Sequence, residues 1–505
     1  MSPKKKSFRN EWLPLLEELE SIQKESRAMG GPDRVARLMH SRGKLDARQR
    51  IEALFDPGSF KEIGALASNT VGIPADAFVC GVGKINGRRA VAGAEDFSVL
   101  GGSIGGPGSS KRYRVAEIAM RERIPLVMML EGAGHRMTDT GGGRAPQDLS
   151  AMADLKGHVP MVCMVMGASA GHGALAAPLS DFVIMTAYGS MFTGGPPLVK
   201  AALGEEVTKE ELGGAKICTE IAGSAHNVAK DDDDAIAMAR QYLSYLPQSR
   251  EAPPPRREGA DTGPRRIEEL LDIIPPNDRK PYKMRKVIDL LVDEDSAFEF
   301  QPKYGRSLAT VLAFMGGRAV AIVANDPMIG AGAVDSPAAI KAMDFLEMVG
   351  HFSLPVIFLA DNPGVLAGTK AERSGILKWG GKMFHAERRL KNPKIHITMR
   401  KAFGFGMVTM AGLPFDGQSL SFSLPGVNMA AMPAVAGGKA SRLDAKSQAA
   451  VEKEQRSGPY KQADRLGCDD VLDPRELRNG ILWGLSLSEE RASEAPEVPL
   501  TDVPR

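Results

Sequence analysis

Cysteine is scarce in this chain, four in 505 residues, at positions 80, 163, 218 and 468. None of the four sits in a Cys-x-x-Cys pair or another metal-type spacing, and no pairing scheme suggests itself. A zinc ribbon is thereby excluded, and a reducing, cytoplasmic setting is expected. Charge of one sign is missing too: 64 Lys and Arg against 62 Asp and Glu leave a formal net charge of +2, which argues against a nucleic-acid binder. The longest membrane-like window, 159–179, is broken by His172 and clustered glycines and reads as a buried strand and turn, so no membrane-spanning helix is expected. The start, M-S-P-K-K-K-S-F-R-N-E-W, has no apolar core of the kind a signal peptide needs. H-E-x-x-H is absent, which leaves zinc-protease chemistry without support.

What is present is ordinary for a globular protein: 43% hydrophobic and 25% charged residues, in a chain long enough for two or three domains. Two stretches stand out. P-M-V-C-M-V-M-G-A-S-A-G-H-G-A-L at 160–175 and P-K-I-H-I-T-M-R-K-A-F-G-F-G at 393–406 each begin with proline and a run fit for a buried strand. Each then stops in a glycine-studded turn before a new apolar segment, which reads as strand, tight turn, helix. Helix starts leave N–H groups without intrahelical acceptors, suited to an oxygen that gains negative charge.

The two stretches belong to a larger echo. The hairpin signal N-G-R-R-A-V-A at 86–92 returns as G-G-R-A-V-A at 316–321, and P-L-V-M-M-L-E-G-A-G returns as P-V-I-F-L-A-D-N-P-G. Pro125 and Pro355, and Gly134 and Gly364, are 230 residues apart, while Gly171 and Gly404 are 233 apart. Such a steady offset makes the chain an internal duplication of one α/β unit with largely parallel strands. The expected division is 1–250, a proline-stiffened exposed linker at 251–264, and 265–505. The last twenty residues are polar and expected to be loose.

Other segments carry weaker signals. The run G-G-S-I-G-G-P-G-S-S-K-R, with Gly101, Gly102 and Ser103, reads either as a surface loop or as a phosphate cradle that lacks Walker spacing. In the second case Lys111 and Arg112 would hold phosphates of a nucleotide-bearing substrate. Asp231 to Asp234 precede a helical run and read as a solvated helix start, not a metal site. His172 is read as a packed or exposed residue more readily than as an acid or base.

Taken jointly, A-E-D-F-S-V-L-G-G-S-I-G, G-A-S-A-G-H-G-A, E-E-L-G-G-A-K, V-A-N-D-P-M-I, D-N-P-G-V-L-A-G-T-K-A-E-R-S-G-I, R-K-A-F-G-F-G and G-C-D-D-V-L-D-P-R-E-L-R resemble the carboxyltransferase (beta) subunit of biotin-dependent acyl-CoA carboxylases, within the crotonase-like superfamily. The resemblance implies two duplicated crotonase-like ββα domains and a homo-hexamer. It implies an acyl-CoA held by the first domain, and biotin, brought by a biotin carboxylase/biotin carboxyl carrier partner, held by the second. It also implies that no side chain acts as base, because the biotin anion takes the α-proton. By motif match Gly171 and His172 would offer N–H groups to the thioester enolate, and Phe405 and Gly406 to the biotin ureido oxygen. Gly101, Gly102, Ser103, Lys111, Arg112, Gly134, Gly364 and Val408 would line the substrates. The family's usual Gly-Gly at both turns is Gly-His and Gly-Phe here, Val408 stands where a polar residue is common, and Asn428 replaces an acid. Those departures keep three other readings open: a biotin-dependent decarboxylase, a hydratase using Glu131, or a non-catalytic scaffold subunit.

Overall fold

The computed structural model describes residues 8–137, 147–259, 261–456 and 458–493. The tail at 494–505 and the distal part of the loop after Glu131 lie outside them. The chain divides into two units, Met1–Cys218 with Val228–Arg240, and Thr219–Asn227 with Gln241–Arg505.

In unit 1 the strands are β1 (Lys61–Ile63), β2 (Phe78–Ile85), β3 (Arg88–Glu95), β4 (Leu126–Gly132), β5 (Met161–Ala170), β6 (Phe182–Thr186), β7 (Ser190–Phe192) and β8 (Asn227–Ala229). They form one sheet in the order β1-β2-β3-β4-β5-β6-β8, with β7 beside the end of β5. Pairing is antiparallel through β1, β2 and β3 and parallel from β3 to β6. The β2–β3 turn is Asn86-Gly87, with φ of 50° and 78°, the left-handed pair that a two-residue hairpin requires. Every residue of β4 is buried, which is why it reads as an unbroken apolar run and not as an alternation.

Unit 2 repeats the plan with β9 (Phe298–Phe300), β10 (Leu308–Met315), β11 (Arg318–Asn325), β12 (Val356–Asn362), β13 (Lys394–Phe403), β14 (Leu420–Ser423), β15 (Asn428–Ala430) and β16 (Asp470–Val471). Their order, β9-β10-β11-β12-β13-β14-β16 with β15 beside β13, matches unit 1 strand for strand. The stretch expected as a free linker runs instead along this unit's hairpin. Arg257 donates its backbone N–H to the Gly317 carbonyl at 2.7 Å, and Ala319 donates to Pro255 at 3.2 Å, so its polar groups are satisfied by the β10–β11 turn.

The crossover helices carry a second correction. Helix Gly106–Glu122 begins inside the glycine-rich run, with Pro107 in its first turn, where a missing N–H costs nothing. Helix Ser336–His351 has Pro337 at the matching place. Both turn a lysine inward. Lys111 Nζ donates to the carbonyls of Ala75 and Phe78, and Lys341 Nζ donates to those of Gln301 and Leu308. Lys111 and Lys341 are 230 residues apart, as are Phe78 and Leu308, so the buried lysine is a device of the fold. Arg112 is 1% exposed and donates to Glu95 and Asp148, both at 2.9 Å. Neither side chain is free to grip a phosphate.

Burial pushes Lys341 down to about 7. An unfolded lysine keeps its proton to near pH 10.4. From pH 7 to that value the unfolded chain therefore binds the extra proton, and stability rises with pH; below pH 7 the penalty is constant. Urea unfolding of the wild type against Lys341→Met between pH 7 and 9 should show the wild type gaining on the variant, by at most about 1.4 kcal/mol per pH unit. Parallel pH trends would show the lysine to be charged in the fold.

Candidate functional site

At the carboxyl end of the unit 1 sheet three loops press together. The loop after β3 runs through Gly101 and Gly102, with φ of 63° and 65°. A Cβ on Gly102 would lie 2.3 Å from the Glu131 carbonyl oxygen, so only glycine allows the loop to sit on the end of β4. The loop after β4 holds Gly134 (φ 82°), whose carbonyl accepts the Ile104 N–H at 2.8 Å. A Cβ there would stand 2.7 Å from the Ala170 carbonyl, at the end of β5. Arg136 clamps the first two loops, donating to the Ser103 carbonyl and to Asp76, both at 2.8 Å.

The third loop is the turn at the end of β5. Gly171 (φ 58°) still pairs as a strand residue, donating its N–H to the Phe192 carbonyl at 3.1 Å. That corrects the expected donor set by one residue. The N–H groups of His172 and Gly173 open the short helix Gly173–Leu175 and have no intrahelical acceptor. The His172 ring reaches away to Asp148, at the start of helix Asp148–Leu155, with Nε2 2.8 Å from Oδ1. Burial raises the Asp148 carboxyl, but the His172 hydrogen bond and the Arg112 charge outweigh it and hold it below the ordinary range.

Unit 2 builds the same junction. Val334 donates to the Gly364 carbonyl at 3.2 Å, and a Cβ on Gly332 would fall 2.3 Å from the Asp361 carbonyl. Gly404 (φ 50°) ends β13 and opens helix Gly404–Val408, whose early N–H groups include those of Phe405 and Gly406. A Cβ on Gly406 would lie 2.2 Å from Asn362 Oδ1 and 2.6 Å from Gly364 Cα. The Phe405 ring packs edge-on against Phe384, centroids 5.9 Å apart. Val408, half-buried, closes the helix. A cavity of about 760 Å³ beside this turn is lined by Pro363, Phe403, Arg400, Lys401 and Asn428.

Behind each junction lies a buried ion cluster that sequence reasoning missed. Glu131, at the end of β4, pairs with Lys44 and with Arg50, the latter at 2.8 Å; Arg50 also holds Asp232 at 2.9 Å. Asp232 is 2% exposed and accepts from Tyr188, so the aspartate run is only partly a solvated helix start. Glu131 is committed on both oxygens, which removes the carboxylate that a hydratase reading requires. In unit 2 Asp361 accepts from Arg400 at 2.7 Å and from Tyr282 at 3.0 Å. Glu95 was also missed. It accepts the Glu131 N–H at 2.8 Å, as Asn325 accepts that of Asp361 at 3.0 Å. Their shared offset of 230 was a usable signal. Among the described residues no group of His, Cys, Asp and Glu could hold a metal, and no helix is long and apolar enough to cross a membrane.

Comparison with known proteins follows the same lines. Residues 38–498 match the carboxyl transferase domain family. The methylmalonyl-CoA decarboxylase subunit alpha of Veillonella parvula is 33% identical, over 93% of this chain and 95% of the relative. The methylmalonyl-CoA carboxyltransferase 12S subunit of Propionibacterium freudenreichii subsp. shermanii is 34% identical, over 92% and 93%. A transcarboxylase 12S crystal structure described as a hexamer assembly, with methylmalonyl-coenzyme A and methylmalonic acid bound, superposes with a TM-score of 0.89 at 33% identity, covering 97% of this chain and 98% of that one.

Arg50 is fully buried between two carboxylates, so Arg50→Met should cost about 3–5 kcal/mol, because both are left without their shared cation. Arg114→Met, which breaks an exposed pair with Glu117 on a helix surface, should cost under about 1 kcal/mol. Urea denaturation midpoints of the two variants provide the comparison.

Proposed function

Because the chain belongs to the carboxyl transferase family, we propose that it moves a carboxyl group between biotin, carried on a partner protein, and the α-carbon of an acyl-CoA. One observation carries this reading: two pairs of first-turn amides open at equivalent points of a duplicated sheet. In unit 1 the N–H groups of His172 and Gly173 take the thioester oxygen as it becomes an enolate, with Gly171 shaping the turn. Gly101, Gly102, Ser103 and Gly134 form the backbone over which the thioester lies. In unit 2 the N–H groups of Phe405 and Gly406 take the ureido oxygen, bordered by Gly364 and Val408.

The residues present fit that assignment. Backbone donors fixed by glycine contacts need no reorganisation when charge develops. The cavity beside the second turn has cationic Arg400 and Lys401 on its wall, Arg400 already neutralised by Asp361. Biotin, when bound, supplies the carboxyl group and takes up the α-proton. The chain's residues hold the two oxygens, orient the α-carbon and leave the buried carboxylates out of the reaction. Lys111 and Arg112 drop out of the substrate set and serve the fold.

The partner is a biotin carboxylase with its biotin carboxyl carrier, and the working assembly is a homo-hexamer like the one named for the transcarboxylase relative. Four buried cysteines outside any disulfide support a cytoplasmic setting. Decarboxylation is the second reading, favoured by the Veillonella relative. The same two holes serve it, since an enolate forms in either direction.

The test is a panel of acyl-CoAs assayed with the protein, a biotin carboxylase and a biotinylated carrier. Acyl-CoA-dependent transfer is the expected result, and none with any ester would leave the decarboxylase reading or a scaffold. Gly406→Ala should lower transfer by at least about 10²-fold while acyl-CoA affinity, a property of unit 1, holds. Apolar Val408 should make propionyl- and longer acyl-CoAs better substrates than acetyl-CoA. Equal turnover of acetyl and longer esters would dismiss Val408 as a selector.

A further inference from the structure

We propose that the outer ridge of helix Ile376–Arg389 is the docking surface for the protein that brings biotin, and that this protein meets it with an acidic face. The inference rests on the reading of the Phe405 turn as the ureido hole and names the partner surface of that same site.

The helix, I-L-K-W-G-G-K-M-F-H-A-E-R-R, sorts its residues by period. Ile376, Gly380, Met383, Ala386 and Glu387 are buried. Lys378, Lys382, His385 and Arg389 recur at steps of four, three and four, which sets them in one row on the opposite side. Lys378 and His385 are exposed, and Lys382 and Arg389 half-buried. The helix's one acid, Glu387, turns inward and accepts from buried Lys394 at 2.5 Å. No carboxylate of the helix therefore interleaves the row. Like charges one turn apart on a helix oppose its folding, and an acidic partner relieves that repulsion.

The excess of positive charge is local. Residues 366–391 hold seven Lys and Arg against two acids, in a chain whose formal net charge is only +2. Lys370 and Arg373, on the short helix Thr369–Arg373 just before the ridge, are exposed. Asp344 and Glu347, on helix Ser336–His351 packed alongside, are too few to cancel it. Lys378 Nζ lies 4.8 Å and Lys382 Nζ 5.8 Å from the centroid of the Trp379 ring, so one aromatic face steadies both ammonium groups at the surface.

Shape points to a protein and not to a small anion. The row spans eleven residues, about 16 Å, and its cations stand side by side along a helix instead of converging on one point. Leu377, at the helix start, is 78% exposed, and Leu366, two residues beyond Gly364, is 42% exposed. These add apolar area that a protein partner covers and that a nucleic acid leaves in water. Position points to the biotin carrier. The inner side of the same helix walls the Phe405 turn: a Cβ on Gly380 would lie 3.2 Å from the Phe405 ring, and Phe384 meets that ring edge-on. One helix, about 10 Å thick, separates the cationic row from the hole, so a protein seated on the row brings a lysine-borne biotin close to the turn.

The test uses the full-length protein, a biotinylated carrier, and the carboxylated acyl-CoA that the substrate panel identifies. Carboxyl transfer is followed against carrier concentration at low and high salt, and separately with free biotin, which needs no docking surface. The wild-type kcat/KM for the carrier should fall as salt rises, while transfer to free biotin changes little. Lys378→Glu combined with Lys382→Glu should raise the carrier KM about tenfold or more, with kcat and the rate on free biotin unchanged. Arg114→Glu combined with Arg121→Glu makes the same change in net charge on an exposed helix face of unit 1 and should leave the carrier KM as it was. Thermal midpoints of both variants exclude unfolding. An unchanged carrier KM in the folded ridge variant, or an equal rise in the unit 1 control, overturns the inference. So does a rise accompanied by a smaller assembly in sedimentation, which would assign the ridge to a second copy of this chain. In each of those cases wild-type transfer to the carrier leaves the proposed function standing. No wild-type transfer to carrier or to free biotin removes that function, and this inference with it.

Discussion

Everything at the sheet ends depends on how closely one backbone approaches another. A Cβ on Gly102 would meet the Glu131 carbonyl at 2.3 Å, and one on Gly332 would meet the Asp361 carbonyl at the same distance. No side chain survives such contacts, so the loop after the third strand of each unit can lie on the end of the next strand only through glycine. The consequence is rigidity: three loops packed backbone to backbone leave the amides of the turn no room to reorient. A hole made of main-chain donors gains its catalytic value from that immobility, because the donors are already aimed when charge appears.

The buried ions serve the same constraint from below. Glu131 and Asp361 sit at the ends of β4 and β12, each held by cations and each with its own N–H taken by the side chain of Glu95 or Asn325. A carboxylate so placed is costly to bury and stays charged only while its partners remain. It therefore penalises any shift of the strand end on which the turn is built. The two units solve this with different residues: two basic side chains from the helical N-terminal segment in unit 1, and a strand arginine with a tyrosine in unit 2. Equivalent positions and non-equivalent partners mark what the duplication had to keep and what it was free to replace.

The duplication was legible because its landmarks are prolines and glycines, whose roles depend on backbone geometry and survive without neighbours. Gly134, Gly364, Gly171 and Gly404 therefore pointed to loops that the two units build alike. Residues whose meaning depends on a distant partner were not legible. Asp148 lies 24 residues from His172 and 36 from Arg112, with nothing in the intervening sequence to announce the pairing. Lys111 and Arg112 show the opposite failure. Beside a glycine-rich run they resembled phosphate ligands, yet the run is a helix start, and Lys341 in the second copy was the available clue that such a lysine belongs inside. The assignment of Gly171 as a donor missed by one residue, because sequence does not tell where the ladder between β5 and β7 ends.

The two turns carry the side chains His172 and Phe405 at matching positions, and their surroundings explain why both are tolerated. Phe405 directs its ring onto Phe384 and the space over Gly380, so the amides beside it remain open. His172 directs its ring onto Asp148, which leaves the neighbouring amides equally open. The residues differ in what they add once the backbone requirement is met. An aromatic hydrocarbon ring contributes packing and excludes water, suiting a site whose ligand brings its own chemistry. An imidazole adds a hydrogen bond to buried Asp148 and so ties the turn to helix Asp148–Leu155. The Asp148–Arg112–Glu95 chain fixes the direction of the His172 ring and with it the clearance over the neighbouring amides.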